Sequence, residues 1–254
     1  MERVLVINGC SHSAGSEISG QGISDGKECR DNSFGALLAR KLDRQPIHLA
    51  LPAGSNDRIV RTTLAWIGDN IDAIQSKKID PIFLIHWTGV QRSEFRVNTE
   101  PFHAPFVDHH NNDDRYRPMA VGVQSTSFGI SKKITEWYNH LFVYDEIYWT
   151  DNKLKNILAL QGILKSIGLQ YWFGDAFDAF ASNKKSLNFE AVGKLVDRRY
   201  FPYFDNLEMT YYLYCKNQGF NNIDPSNQIW HLDANAHIFY SEFLFKELQK
   251  ARLT

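Results

Sequence analysis

Residues 4–15, Val-Leu-Val-Ile-Asn-Gly-Cys-Ser-His-Ser-Ala-Gly, decide the fold of this chain. The first four form a short, largely β-branched apolar run, which is typical of a strand buried on both faces. Asn8-Gly9 then signals a tight turn, and small polar residues follow it. The stretch therefore predicts the first strand of a parallel sheet, with a serine on the turn at its carboxyl end.

Strands and helices alternate after this turn. The pattern predicts a helix over Ser33–Leu42 and then a strand over Ile47–Leu51. The next helix is capped by Ser55-Asn56-Asp57 and carries an apolar stripe from Val60 to Ile74. A strand over Pro81–Trp87, which begins at its proline, follows this helix. An order of strand, helix, strand, helix, strand is typical of an α/β protein with a central parallel sheet.

The regular pattern stops after the third strand. Residues 97–130 have no clear period, and irregular loops beyond about 12–15 residues are often lids or binding loops. We expect one domain over 1–254, with a loop and helical insertion over about 97–150 beside the sheet. The sequence further predicts helices near 131–148 and 151–167, a strand over Gln170–Phe173 and a last helix over Asp233–Leu253.

Composition argues against several classes of function. The 254 residues include 28 Lys+Arg and 29 Asp+Glu, so no basic field invites nucleic acid. The amino-terminal apolar run is too short for a signal peptide, and no window approaches a membrane span. Cys10, Cys29 and Cys215 form neither a CxxC pair nor a disulfide framework. We therefore expect a cytoplasmic protein with no nucleic-acid or membrane partner.

Chemistry-bearing residues cluster where the predicted strands end. Ser11 follows the first strand, Gly54 the second and Thr88 the third, while His231 directly precedes the last helix. Ligands of open α/β sheets bind at these carboxyl ends. Nucleophilic acyl transfer needs a hydroxyl, a base within about 2.6–3.2 Å and donors aimed at the developing oxyanion. These segments could supply all three.

The order of these segments resembles that of the SGNH (GDSL-type) hydrolases, which are serine esterases and lipases with a flavodoxin-like, three-layer α/β/α fold. The family's Gly-Asp-Ser block stands here as Gly9-Cys10-Ser11, and its Asp-x-x-His block as Gln228-Ile229-Trp230-His231. The resemblance implies that Ser11 is the nucleophile and His231 the general base. It also implies an oxyanion hole formed by Ser11, Gly54 and Thr88, the last in place of the family's asparagine.

The chain departs from the family at the residue that orients the histidine. Gln228 stands where the family has a catalytic aspartate, and loss of that carboxylate costs triad enzymes several orders of magnitude in rate. Gln228 could hold the ring through its amide oxygen. Asp224 and Asp233 are further candidates for this orienting role, although neither has the family spacing and Asp233 also fits the N-cap of the last helix.

Two further side chains are candidates for substrate binding. Asn56 could cap a helix or line a pocket, and Arg92 could hold a polar substrate or form a surface ion pair with Glu94. The polar run over 109–114 contains metal-ligand residue types but lacks the spacing of a defined site. We therefore expect no metal.

Two functions remain open at this stage. The first is a serine ester hydrolase of the esterase or acetylesterase type, which cleaves a small-molecule or carbohydrate ester through an acyl-enzyme on Ser11 and needs no cofactor. The second is a catalytically degenerate relative that binds a ligand or partner without turnover, an alternative favoured by Gln228 and Thr88. A phosphate-binding use of the first turn lacks the usual glycine-rich patterns. The aromatic content is compatible with a homo-oligomer.

Overall fold

The computed structural model describes residues 1–18, 26–96, 116–120, 132–177, 180, 184–223 and 231–254. Its strands are β1 (Glu2–Asn8), β2 (Gln45–His48), β3 (Ile79–Trp87), β4 (Arg92–Arg96), β5 (Tyr116–Ala120) and β6 (Gln170–Asp175). Its longer helices are α3 (Phe34–Lys41), α4 (Asn56–Gln75), α5 (Lys132–Tyr144), α6 (Glu146–Ser166) and α9 (Ala234–Ala251). The shorter ones are α1 (Ser11–Ala14), α2 (Lys27–Asp31), α7 (Phe189–Gly193), α8 (Tyr211–Asn217) and a 3₁₀ turn at Leu207–Met209.

Four parallel strands form the central sheet, in the order β2-β1-β3-β6. Counted along the sheet strands alone this is 2-1-3-4, the start of the flavodoxin-like order. Alternate residues of β1 point to opposite faces, so Val4 and Val6 join one core cluster while Leu5 and Ile7 join the other. The predicted α/β class with a parallel sheet is confirmed.

Helices cover both faces of this sheet. The face that carries Val4 and Val6 packs against α4, α5 and α6, and the opposite face packs against α3, α8 and α9. These two apolar clusters give the three layers that the family resemblance implies. The predicted caps are also present, because the side chains of Ser55 and Asp233 accept hydrogen bonds from the first turns of α4 and α9.

Several element boundaries differ from the sequence predictions. β2 ends at His48 rather than Leu51, and β6 continues to Asp175. Pro81 is the third residue of β3, at a point where β3 pairs only with β1 because β6 begins opposite Ile82. The break between α5 and α6 lies at Asp145, whose side chain accepts a hydrogen bond from the Tyr148 N–H.

The predicted insertion contains a small antiparallel pair that sequence reasoning missed. β4 and β5 pair from Arg92↔Ala120 to Arg96↔Tyr116. The segments 97–115 and 121–131 lie outside the described residues, and so does the polar run over 109–114. The role of a lid or binding loop for this stretch therefore stays a prediction. Within the part of the chain that is described, none of the helices has the length and apolarity that a membrane crossing requires.

Candidate active site

The turn after β1 is held tightly and requires its glycine. Gly9 has φ of +155°, and a Cβ there would lie 2.3 Å from the Ser13 Oγ. Asn8 anchors the turn to α4, because its Nδ2 donates to the Ile59 carbonyl at 3.1 Å and its Oδ1 accepts the Gly9 N–H at 2.8 Å. Ser11 begins α1 directly after this turn, where backbone N–H groups lack partners within the helix.

His231 is fixed immediately before α9. Its carbonyl accepts the Ile223 N–H at 2.9 Å, and the buried Leu232 forms a β-bridge with Asn222. Asp233 then caps α9 by accepting the Ala236 N–H at 2.9 Å. The histidine therefore stands where the sequence predicts it, on a short segment clamped at both ends.

A carboxylate that sequence reasoning missed engages this histidine. The Nδ1 of His231 lies 2.5 Å from the Glu17 Oε2. The exposed fractions of the two side chains are 18% for His231 and 6% for Glu17, so the contact is largely shielded from water. Glu17 is 214 positions from His231 in the chain and only six from Ser11. Glu17 therefore contacts the His231 Nδ1, the atom that Gln228 or Asp233 was predicted to orient.

This finding corrects the orienting role suggested for Asp233. That carboxylate caps α9, and Nδ1 of His231 is taken by Glu17. Gln228 and Asp224 lie outside the described residues, so their roles stay predictions. The sequence analysis did not consider Glu17 for this role, and the carboxylate at Nδ1 comes from the other end of the chain.

Glu17 reaches this place through an unusual backbone. Its φ is +68°, a left-handed backbone conformation that residues other than glycine and asparagine rarely adopt. The short α1 ends at Gly15, also left-handed at φ +70°, and the Ser16 N–H donates to the Ser11 carbonyl at 3.0 Å. Backbone strain of this kind concentrates at functional sites. No sequence motif marks the Glu17 carboxylate, because its position depends on the backbone dihedral angles of the turn after α1.

His12 connects the serine turn to the histidine segment. Its ring centroid lies 4.9 Å from that of His231, in an edge-on arrangement. Burial lowers the pKa of His12 well below its usual value, and electrostatic interactions with His231 and Arg92 lower that pKa further. His12 is therefore an uncharged ring beside Ser11, and its contact brings the two predicted catalytic segments together.

The predicted oxyanion donors lie at the same edge of the sheet but differ in availability. A Cβ on Gly54 would lie 2.9 Å from the Gly9 carbonyl oxygen, so a glycine is needed against the serine turn. The Gly54 N–H, however, already donates to the Leu51 carbonyl at 2.9 Å. Thr88 is buried, and within the described structure its hydroxyl has no hydrogen-bond partner. The Thr88 hydroxyl is therefore better able than the Gly54 N–H to donate a hydrogen bond to an oxyanion.

Asn56 and Arg92 have different surroundings. The Asn56 amide joins α4 to the end of β3, with Nδ2 donating to the Thr88 carbonyl at 3.1 Å and Oδ1 accepting the Thr88 N–H at 3.0 Å. Asn56 thus positions Thr88, and a direct contact with substrate stays a prediction. Arg92 lies near His12, with its Cζ 4.7 Å from the centroid of the Phe177 ring.

The predicted ion pair between Arg92 and Glu94 is absent from the described contacts. Glu94 instead receives two hydrogen bonds from Arg61, at 2.8 and 2.7 Å. Arg92 and Glu94 are two positions apart on one strand and so point to the same face, but Arg61 on α4 binds both carboxylate oxygens of Glu94. Across the described residues, no group of three His, Cys, Asp or Glu side chains could hold a metal ion.

Comparisons with known proteins add a family and two structural neighbours. Esterase EstA from Pseudoalteromonas sp., described as psychrotrophic, is 9% identical over all of both chains, with a TM-score of 0.44. The acetyl xylan esterase AlAXEase is 11% identical, with 96% of this chain and 98% of that chain covered and a TM-score of 0.41. No curated protein matches the chain.

A family model matches residues 19–197, which are most of the chain. The match begins after Ser11 and Glu17 and ends before His231, so it omits these three residues and includes Gly54, Asn56, Thr88 and Arg92. The chain belongs to the Family of unknown function (DUF6071).

Proposed function

We propose that this chain is a serine ester hydrolase and a divergent relative of the SGNH hydrolases, with Ser11 as nucleophile, His231 as general base and Glu17 as the carboxylate that orients the base. The observation that carries the proposal is the 2.5 Å contact between the His231 Nδ1 and the Glu17 Oε2, on a histidine that also packs against the neighbour of Ser11. A base that is in turn oriented by a carboxylate is the arrangement that activates a serine.

Each residue has a defined part in the reaction. With Glu17 accepting from Nδ1–H, the His231 ring keeps Nε2 as the proton acceptor. Ser11 Oγ attacks the ester carbonyl carbon and passes its proton to Nε2. The tetrahedral intermediate then expels the alcohol, which takes that proton, and leaves the acyl group on Ser11. Water, deprotonated by His231, releases the acid and regenerates the serine.

Charge on the carbonyl oxygen grows during both steps and needs donors in fixed positions. The Ser11 N–H at the start of α1 is one such donor, and the Thr88 hydroxyl is the second. Because Asn56 binds the Thr88 backbone from both ends of its amide, Thr88 is held in place before substrate arrives. Gly54 supports the turn by close packing against Gly9.

Fluorophosphonate labelling tests the proposal directly. We expect the purified protein to be labelled at Ser11 and to hydrolyse p-nitrophenyl acetate. Ser11→Ala and His231→Ala should lose both properties, whereas the matched control Ser13→Ala should keep the label, because Ser13 is a buried neighbour on the same helix. A folded protein that is neither labelled nor active would contradict the proposal and favour the alternative of a binding protein without turnover.

A further inference from the structure

Arg92 offers a positive charge beside the candidate active site. It is the first residue of β4, five positions after the end of β3. Its guanidinium lies over the Phe177 ring at 4.7 Å, and the Phe177 ring centroid lies 5.4 Å from that of His12. His12 follows Ser11 directly and packs on His231. A continuous set of contacts therefore joins Arg92 to the catalytic segments.

Nothing in the described structure neutralises this charge. The Arg92 Nη1 is buried and has no hydrogen-bond partner there. Two carboxylates belong to or contact β4, and one of them, Glu94, is held by Arg61 through two hydrogen bonds. Asp57, which accepts a hydrogen bond from Ser93, also accepts from Asn156 at 2.9 Å on α6. Both acids are thus occupied by other groups.

A buried donor without an acceptor costs free energy that a ligand can recover. The cost is larger for a charged group than for a neutral one. A guanidinium presents paired N–H donors in a planar fork, and the matching acceptor is a carboxylate or a similar oxyanion. The only carboxylate at the catalytic histidine among the described residues, Glu17, is engaged by His231 and does not reach out to balance Arg92.

The charge available to a ligand in the described site is a single unit. His12 contributes none, because burial keeps its ring neutral. A phosphate monoester carries close to two negative charges at neutral pH and would exceed this single cation. One carboxylate balances it.

From these observations we infer that the substrate is an ester that carries a carboxylate, and that Arg92 binds that carboxylate while Ser11 attacks the ester carbonyl. The inference rests on the proposed esterase function and adds the chemical class of the substrate. Arg92 is a specificity residue in this scheme and takes no part in proton transfer.

Two matched pairs of esters test the inference. In the first pair the acyl part carries the charge: the mono-4-nitrophenyl ester of succinic acid is compared with its neutral methyl ester. In the second pair the alcohol part carries it: 4-acetoxybenzoic acid is compared with its methyl ester. The measured quantity is the ratio of kcat/KM for the charged ester to that for the neutral ester.

We expect this ratio to exceed about 10 in at least one pair for the wild-type protein and to fall by about 10- to 100-fold in Arg92→Gln, as the loss of a charge-assisted hydrogen-bond pair requires. Arg92→Lys, which keeps the charge without the fork, should retain part of the ratio. The control Arg3→Gln removes one charge near the amino end of β1, whereas the candidate active site lies at the carboxyl ends of the strands. This variant should leave the ratio unchanged. A ratio that differs by less than about twofold between wild type and Arg92→Gln in both pairs would overturn the inference.

Calorimetric titration separates this inference from the proposed function. Monomethyl succinate and 4-hydroxybenzoate should bind the wild-type protein and Arg3→Gln, and should bind Arg92→Gln at least about tenfold more weakly. Binding that requires Arg92 in a protein without esterase activity would support the carboxylate site and refute the esterase. Hydrolysis of both neutral esters with no dependence on Arg92 would do the reverse. Tighter binding of phenyl phosphate than of either carboxylate would refute the assignment to a carboxylate.

Discussion

Glu17→Gln changes one charge at the candidate active site and little else. The two side chains have the same shape, and both have to adopt the left-handed backbone at φ +68°, so the strain at this position is the same in both proteins. The glutamine amide oxygen can still accept the Nδ1–H of His231. The variant therefore isolates the electrostatic part of the contact between Glu17 and His231.

The size of the effect follows from the geometry. His231 gains a full positive charge when it takes the Ser11 proton, and the Glu17 carboxylate lies 2.5 Å away at the nearest atoms. Charge centres about 4 Å apart interact by about 4 kcal/mol at an effective dielectric constant of about 20. The low exposure of both side chains, 18% and 6%, argues against strong screening by water. Loss of this stabilisation from the transition state lowers kcat by about 10³-fold.

Steady-state hydrolysis of p-nitrophenyl acetate measures this loss, and the rate of fluorophosphonate labelling gives a second readout of the same activated serine. Glu28→Gln on the exposed side of α2 is a matched control, because it removes the same charge away from His231. Thermal unfolding of each variant establishes that the proteins compared are folded. If kcat of Glu17→Gln stayed within about threefold of the wild-type value, Glu17 would not be the orienting carboxylate.

Two further predictions concern stability. Because Glu17 has a positive φ, Glu17→Gly should be more stable than Glu17→Ala by about 1 kcal/mol in denaturant unfolding, while both lose the carboxylate and the associated activity. His86 and His237 are buried, and burial lowers the pKa of each to about 3. Below pH 6.5 these histidines take up a proton in the unfolded protein but not in the folded protein. The free energy of unfolding should therefore fall as the pH decreases from 6.5 to about 3, and the loss at pH 5 should be about 2 kcal/mol per histidine.

His237→Asn tests the second of these predictions. The His237 Nδ1 accepts the Phe34 N–H at 3.0 Å, and an asparagine oxygen can take that place without titrating. The slope of unfolding free energy against pH between 6.5 and 4 should decrease by about 1.4 kcal/mol per pH unit. An unchanged slope would show that His237 does not contribute. For the first prediction, equal stability of the glycine and alanine variants would mean that the left-handed backbone at residue 17 is not strained.

The strand framework could be predicted because the information is local. A β-branched run followed by Asn-Gly, as at β1, predicts both a buried strand and the turn that ends it, and the capping residues Ser55 and Asp233 start α4 and α9 where expected. Boundaries were less accurate where tertiary pairing decides them. β3 begins two residues before Pro81 because β1 extends far enough to pair with it.

The class of fold, the order of strands and helices, and the positions of Ser11 and His231 next to these elements follow from local sequence, because hydrophobic periodicity and turn chemistry act over a few neighbouring residues. Which side chains contact each other depends on how distant segments pack. Glu17 binds His231 because the chain turns after α1 through two left-handed residues, Gly15 and Glu17, and Glu94 binds Arg61 because α4 packs beside β4. Contacts of this kind depend on the packing of distant segments, and no spacing of residues along the chain encodes them.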